Sequence, residues 1–236
     1  MNTSKKITIA VDGFAACGKS TLAKALAKEL NYAYVDSGAM YRAVTLYFLD
    51  NNIDLDDKEA VQKALDEQIY IEFRNIDGNN HTFLNGIDVE EEIRSFRVSD
   101  FVSPVATVSA VRRTLVKIQQ AIGKNGGIAM DGRDIGTVVF KDAELKLFLT
   151  ASIEERTNRR LQELQSKNIQ DFTAEAVAEN LKTRDHIDST RADSPLMQAE
   201  DAIEIDNSLL TPEEQLAYTL ELAKDLIAEK KKQATV

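Results

Sequence analysis

The stretch Gly13-Phe14-Ala15-Ala16-Cys17-Gly18-Lys19-Ser20 satisfies G-x-x-x-x-G-K-[ST] at every fixed position, and nothing else in the chain limits its fold as tightly. Before it lies Ile7-Thr8-Ile9-Ala10-Val11, a short apolar, β-branched run suited to a strand buried on both faces. After it, Leu22, Ala23, Leu26, Ala27 and Leu30 share one helical stripe. Strand, glycine-bearing turn and helix, in that order, form the context in which this motif cradles phosphates. Backbone N–H groups of the loop and of the helix start at Thr21 surround anionic oxygens, Lys19 adds a positive charge at the β/γ-phosphates, and the Ser20 hydroxyl offers a ligand to Mg²⁺. Residues 13–21 are therefore read as a nucleoside-triphosphate site.

A second short strand over Tyr32-Ala33-Tyr34-Val35 completes a βαβ crossover and runs into Asp36-Ser37-Gly38-Ala39-Met40-Tyr41-Arg42. Ligands of open α/β sheets bind at the carboxyl ends of strands, which places Asp36, Ser37, Tyr41 and Arg42 near the phosphate loop. The competing reading is a helix cap at Asp36 or Ser37 with Arg42 in solvent. Residues 66–100 change texture: Ile69-Tyr70-Ile71-Glu72-Phe73, the turn-rich Asp77-Gly78-Asn79-Asn80 and Thr82-Phe83-Leu84 predict a β-hairpin inserted between helices. His81 falls in that hairpin and is expected to be exposed. Ser103-Pro104 reads as a helix start, serine at the N-cap and proline at the first helical position, with the helix running toward Gly123. For Arg112 and Arg113, spacing alone does not choose between a charged face and a site.

Ile128-Ala129-Met130-Asp131 predicts a buried strand ending in a carboxylate, where P-loop enzymes keep an acid that holds Mg²⁺ directly or through water. The turn that follows carries Arg133, whose fork of donors suits a phosphate, and Asp134. Leu145–Leu149 and Ala202–Asp206 predict two more strands. Arg156, Arg159 and Arg160 share one face of a helix over 152–166, either as a solvated stripe or as an arginine lid over the phosphates. Arg184, Asp188 and Arg191 share a face of the next helix, with self-paired surface charges as the alternative. Thr211-Pro212-Glu213-Glu214 carries the cap, proline and acid that open a closing amphipathic helix.

The net charge of −10 argues against a general nucleic-acid binder. It leaves room for a small anionic substrate, which needs only a local arginine cluster. Cys17 is the single cysteine, so no intramolecular disulfide forms, and a small residue that fits the loop is its plainer role. No apolar run approaches the length of a membrane span, and a cytoplasmic monomer is expected. The ends, residues 1–6 and those after Glu229, are expected to be solvated.

Four strings together resemble the bacterial cytidylate kinase family: the phosphate loop, Asp36-Ser37-Gly38-Ala39-Met40-Tyr41-Arg42, Asp131-Gly132-Arg133-Asp134-Ile135-Gly136-Thr137-Val138-Val139-Phe140, and Arg184-Asp185-His186-Ile187-Asp188-Ser189-Thr190-Arg191. The resemblance runs nearly end to end. It implies an α/β fold of the P-loop NTPase type: a three-layer α/β/α core around a parallel sheet (1–65 and 101–236), a helical lid at about 152–190, and residues 66–100 as an inserted antiparallel, monophosphate-binding subdomain. It also implies transfer of the γ-phosphoryl of ATP to CMP or dCMP with Mg²⁺ as cofactor. Ser37, Tyr41 and Arg42 are similar to the acceptor-phosphate contacts, with Arg133 beside them. Ser103, Arg112 and Asp134 resemble the base-reading set, and Arg184 and Asp188 the pentose contacts. Arg191 falls near the transferring phosphates; Lys19, Arg133, Arg156, Arg160 and Arg191 are the implied catalytic set. The loop departs from the family habit of a proline after the first glycine and a further internal glycine, having Phe14 and Ala16 there. Kinases of the same class acting on UMP, AMP or shikimate, and a nucleotide-gated switch or ATPase, are the alternatives.

Overall fold

The computed structural model describes residues 6–77, 79–166 and 172–233. Its centre is a parallel sheet of five strands, ordered β2-β6-β1-β7-β8: β1 (Thr8–Gly13), β2 (Ala33–Asp36), β6 (Ile128–Asp131), β7 (Leu145–Thr150) and β8 (Ile203–Asp206). β1 lies between β6 and β7, with Val11 opposite both Asp131 and Leu147. This register brings the Asp131 turn beside the phosphate loop.

Strand alternation builds two separate cores. Ile7, Ile9 and Val11 point with Ala129, Leu147 and Leu149 into one, closed by Leu22, Ala23 and Leu26 of α1 (Lys19–Leu30) and Ala223 of α8 (Pro212–Gln233). Ala10, Val35, Ile128 and Met130 face the other way, toward Ile135 and Val139 of a single π-helical turn (Ile135–Val139). Helices on both faces and parallel strands throughout give the expected three-layer α/β/α arrangement. A third core joins α2 (Ser37–Asp50), α3 (Lys58–Glu67), α4 (Phe96–Thr107) and α5 (Ser109–Gly123) through Val44, Phe48, Val98, Val105 and Leu115. Against it rests an antiparallel sheet of β3 (Ile71–Ile76), β4 (Asn79–Leu84) and β5 (Ile87–Asp88), anchored by Ile71 and Leu84. Ile76 pairs with Asn79, so the hairpin connection is tighter than the four-residue turn the sequence suggests.

The helix start expected at Ser103-Pro104 is a correction. Ser95 caps α4, and Pro104 lies well inside that helix. Pro104 has no N–H for the carbonyl of Asp100 and crowds it, a local penalty. Burial of Val98, Val102 and Val105 outweighs it for one more turn. The chain then breaks at Val108, extended at φ −73° and ψ 112°, and restarts as α5. The carboxyl end is solvated as expected at 231–233 but helical, since α8 continues through Gln233, and Lys230 Nζ donates to the Lys6 carbonyl at 3.0 Å. Residues 1–5 and 234–236 lie outside the described residues, as do Gly78 and 167–171 of the expected lid. Flanking the last gap, α6 (Ile153–Ser166) and α7 (Ala174–Thr190) pack through Leu164, Val177 and Leu181 around Ala15. No helix among the described residues is long and apolar enough to cross a membrane.

Candidate active site

The phosphate loop leaves β1 at Gly13, whose φ is 144° and where a Cβ would meet the Leu149 carbonyl oxygen at 2.1 Å. Only glycine lets β7 approach so closely there. Gly18, left-handed at φ 80°, opens α1 with no side-chain cap, and the first turn holds no acid. The helix N-terminus thus keeps its N–H groups and partial positive charge for an anion.

A cavity of about 560 Å³ follows from this point, within the range that takes a small ligand. Eight arginines and Lys19 line it against five carboxylates, a cationic lining in a chain of net charge −10. Ala16, Gly18, Lys19, Ser20 and Thr21 face it, whereas Gly13, Phe14, Ala15 and Cys17 do not. Cys17 is fully buried, and burial pushes its thiol up. Lys19 Nζ rests 2.5 Å from the Phe14 carbonyl. Burial, reinforced by Arg133, pushes its ammonium down to about 7.

Ser20 Oγ donates to Asp131 Oδ2 at 2.8 Å, and Tyr34 OH to Asp131 Oδ1 at 3.0 Å. Burial, then Asp36, pushes Asp131 up to about 6. Among the described residues no group of three His, Cys, Asp or Glu could hold a metal unaided. One hydroxyl and one carboxylate make a sparse all-oxygen set, which fits Mg²⁺ that keeps waters and shares phosphate ligands. Ser37 Oγ donates to the Asp131 carbonyl at 2.6 Å, so the two strand ends are tied together.

Asp36 resolves its two readings by serving both. Its Oδ1 caps α2 by accepting from Ala39 N at 2.9 Å, while Oδ2 accepts from Arg42 at 2.7 Å and Arg94 at 3.4 Å. Burial opposes the charge of Asp36, but the two arginines more than offset it and hold the carboxyl below its usual range. Arg112 and Arg113 part company: Arg112 is 1% exposed and Arg113 faces solvent. Arg112 donates to the Ala106 carbonyl at 3.1 Å, pairs with Asp134 at 2.5 Å, and stands 5.3 Å over the Tyr41 ring. Ser103, from the same α4–α5 corner, lines the cavity with them.

Arg133 donates through Nε to Asp188 at 2.8 Å, and Arg191 approaches Asp188 at 3.4 Å and Asp134 at 3.8 Å. Desolvation of the half-buried Arg184, together with Arg133, pushes its guanidinium down to about 10. The hydroxyl of Tyr41 and single nitrogens of Arg42, Arg112, Arg184 and Arg191 are buried without a hydrogen-bond partner within the protein. All five residues line the cavity, which is a donor set matched to an oxygen-rich anion.

The three arginines expected on one lid face diverge. Arg160 lines the cavity and pairs with Glu163 at 2.6 Å; Arg159 lines it too but is held by Asn207 Oδ1 at 2.8 Å. Arg156 lies behind the phosphate loop, away from the cavity. Arg156 stands one turn nearer the start of α6, where the Ala15 carbonyl and Asp185 claim it, while Arg159 and Arg160 reach the cavity a turn further on. His81, half-buried, pairs with Asp88 rather than standing free; it lies outside the cavity, as does the exposed His186.

The sequence reading passed over Asp12, Arg94 and Asp185. Asp12 accepts from Ile135 N at 2.8 Å and Gly136 N at 2.7 Å and so fixes the turn that carries Asp134. An acid ending an apolar strand was the available signal. Arg94 sits in a charged run that reads as surface, and only the fold carries it to Asp36.

Comparison with known proteins places the chain in a family. A family model described as cytidylate kinase matches residues 9–225. A cytidylate kinase of Parabacteroides distasonis is 57% identical over 221 residues, covering 92% of this chain and 96% of that protein. One of Flavobacterium johnsoniae is 55% identical over 227 residues, covering 94% and 98%. A solved structure of an uncharacterized protein from Eubacterium ventriosum shares the fold alone: its TM-score is 0.50 at 12% identity, over 94% of this chain and 99% of that one. With the match running from Ile9 to Asp225 and more than half of the aligned positions identical to such relatives, the chain belongs to the cytidylate kinase family.

Proposed function

We propose that this protein transfers the γ-phosphoryl group of ATP to CMP or dCMP, giving ADP and CDP or dCDP. One observation carries the reading: the loop residues Gly18–Thr21 and the acceptor-side residues Ser37, Arg42, Arg133 and Asp134 line the same cavity. Donor and acceptor phosphates then meet in one enclosure.

Ser37, Tyr41, Arg42 and Arg133 hold the acceptor phosphate; Arg184 and Asp188 meet its pentose. Asp134 accepts from the cytosine N4 amino group, while Arg112 and Ser103 donate to N3 or O2. Uracil turns a carbonyl toward Asp134 instead and leaves the carboxylate unmatched. The acceptor phosphate, with a second pKa of about 6, is largely a dianion at neutral pH, so no general base is required. Catalysis is positioning and charge neutralisation: Lys19, Arg133, Arg160 and Arg191 surround the group in flight. Arg156 contributes from behind the loop. Ser20 and Asp131, the latter through water, would hold Mg²⁺, which supplies charge neutralisation on the phosphates when bound. Residues 152–190 serve as a lid and 66–100 as the acceptor-side unit of an otherwise continuous core. The protein acts on small nucleotides as a cytoplasmic monomer.

The test is steady-state ADP formation from ATP and Mg²⁺ with CMP, dCMP, UMP, AMP, GMP or shikimate offered separately, beside a control without acceptor. Strong turnover with CMP and dCMP, weak with UMP and near zero without acceptor is expected. Turnover indifferent to the acceptor overturns the reading in favour of an ATPase or switch.

A further inference from the structure

The phosphate loop of this chain carries a strain that its own residues do not relieve. Ala16 is left-handed at φ 59°, a conformation that costs a side-chain-bearing residue and persists only where neighbours over-determine it. The restraint comes from α6 and α7. Asp185 accepts from Ala15 N through Oδ1 at 3.1 Å and from Arg156 Nη1 through Oδ2 at 2.5 Å. The same Arg156 nitrogen reaches the Ala15 carbonyl at 3.3 Å, and Arg156 Nε donates to the Ala151 carbonyl at 3.1 Å. Its guanidinium stands 5.4 Å from the centre of the Phe14 ring, which meets Phe148 edge-on at 5.9 Å. Both backbone groups of Ala15, immediately before the strained residue, are therefore held by side chains from α6 and α7, the two helices of the proposed lid.

We propose that Asp185 is a positioning residue for the ATP site: with Arg156 braced on Phe14, it fixes the loop backbone at Ala15 and so presets the turn through Ala16 and Gly18 for the donor phosphates. Arg156 thereby acts through the loop and does not touch the transferring phosphoryl group. The aromatic ring at position 14 supplies the platform on which the guanidinium rests. Asp185 belongs to α7, the helix that also carries Arg184 and Asp188, so the loop and the acceptor side are both tied to one helix. This inference rests on the reading of the loop as an ATP site, and on no further part of the proposed reaction.

The experiment measures the Kd for ATP with Mg²⁺, without acceptor, by titration calorimetry for the wild type, Asp185→Ala, Asp185→Asn, Phe14→Leu and Arg156→Ala. The KM for each substrate, kcat and thermal melting are measured alongside. Removal of a half-buried, charge-assisted acceptor predicts a Kd for ATP raised about tenfold or more in Asp185→Ala, with KM for ATP following and KM for CMP within twofold. Asp185→Asn keeps an acceptor for Ala15 N and recovers part of the loss. Arg156→Ala and Asp185→Ala raise the Kd by similar factors, and their combination adds little. An ATP Kd within twofold of wild type in Asp185→Ala overturns the proposal, as does a rise in both KM values together, the mark of general damage. Should Asp185→Ala fail to melt cooperatively, Asp185→Asn and Phe14→Leu carry the comparison, and an unchanged ATP Kd in both overturns it. An Arg156→Ala variant that keeps its ATP Kd but loses kcat about 100-fold refutes the indirect role of Arg156. A wild type that binds ATP but shows no CMP-dependent turnover removes the kinase reading and leaves the Kd comparison intact.

Discussion

Asp134→Asn separates structural from recognition roles at the most buried ion pair of the cavity. Asp134 is 4% exposed and Arg112 1%, the pair is 2.5 Å apart, and Arg191 stands 3.8 Å away. The amide keeps the shape and one acceptor but cancels the charge. A charge-assisted hydrogen bond exceeds a neutral one by roughly 1–2 kcal/mol. At about 2–4 °C per kcal/mol for a chain of this size, melting should fall by about 2–8 °C. Recognition should shift further. A carboxylate left facing the uracil carbonyl costs about 1–3 kcal/mol. The amide can turn its NH₂ toward that oxygen and escape the cost. The ratio of kcat/KM for CMP over UMP should therefore drop by about 5- to 150-fold, mostly because UMP improves. Initial-rate assays with both acceptors at saturating ATP, beside a melting curve, read both effects. A lowered melting point with the CMP to UMP ratio within twofold of wild type would refute the base contact and leave Asp134 a purely structural partner of Arg112.

Ala16→Gly removes the left-handed strain, worth about 1–2 kcal/mol, at a chain-entropy cost of about 0.5–1 kcal/mol. The net gain is about 0–1.5 kcal/mol, so melting should rise by up to about 6 °C with ATP affinity no weaker, and a lower melting point contradicts the strain argument. Burial pushes Asp12 from 3.8 up to about 6, an effect that the N–H groups of Gly136 and Ile135 only partly offset. A raised carboxylate stabilises the fold below its unfolded pKa and loses that contribution as pH climbs from about 4 to about 6. Relative to wild type, Asp12→Asn should gain about 2 kcal/mol in unfolding free energy between pH 4 and pH 7. Denaturant melts across that window check it, and a constant difference refutes it. Arg133→Ala deletes a guanidinium proposed to meet the acceptor phosphate. Turnover should fall by about 100-fold or more in initial-rate assays, whereas turnover within twofold of wild type removes that role.

Much of the scaffold is legible from local pattern. The five parallel strands, the loop between Gly13 and Ser20, the antiparallel insertion and the Thr211-Glu214 capping box all fall where alternation, helical stripe and turn chemistry put them. Such features depend on neighbours a few residues apart. The helix start at Ser103-Pro104 shows the limit, since a local signal yielded to the burial of Val98, Val102 and Val105.

Read alone, the sequence determined that a triphosphate loop sits between a buried strand and a helix, and that arginines and carboxylates gather in a few short strings. Only the tertiary structure decided their partners. It paired Arg112 with Asp134 and left Arg113 in solvent, brought Arg94 to Asp36, tied Asp12 to the Ile135 turn, and sent Arg156 behind the loop to Asp185 while Arg160 faces the cavity. Helical spacing states which residues share a face, but the crossing of β1 between β6 and β7 and the packing of α6 on α7 set what that face meets. Burial then makes each pairing count, because a buried guanidinium or carboxylate must find a partner that one at the surface can do without.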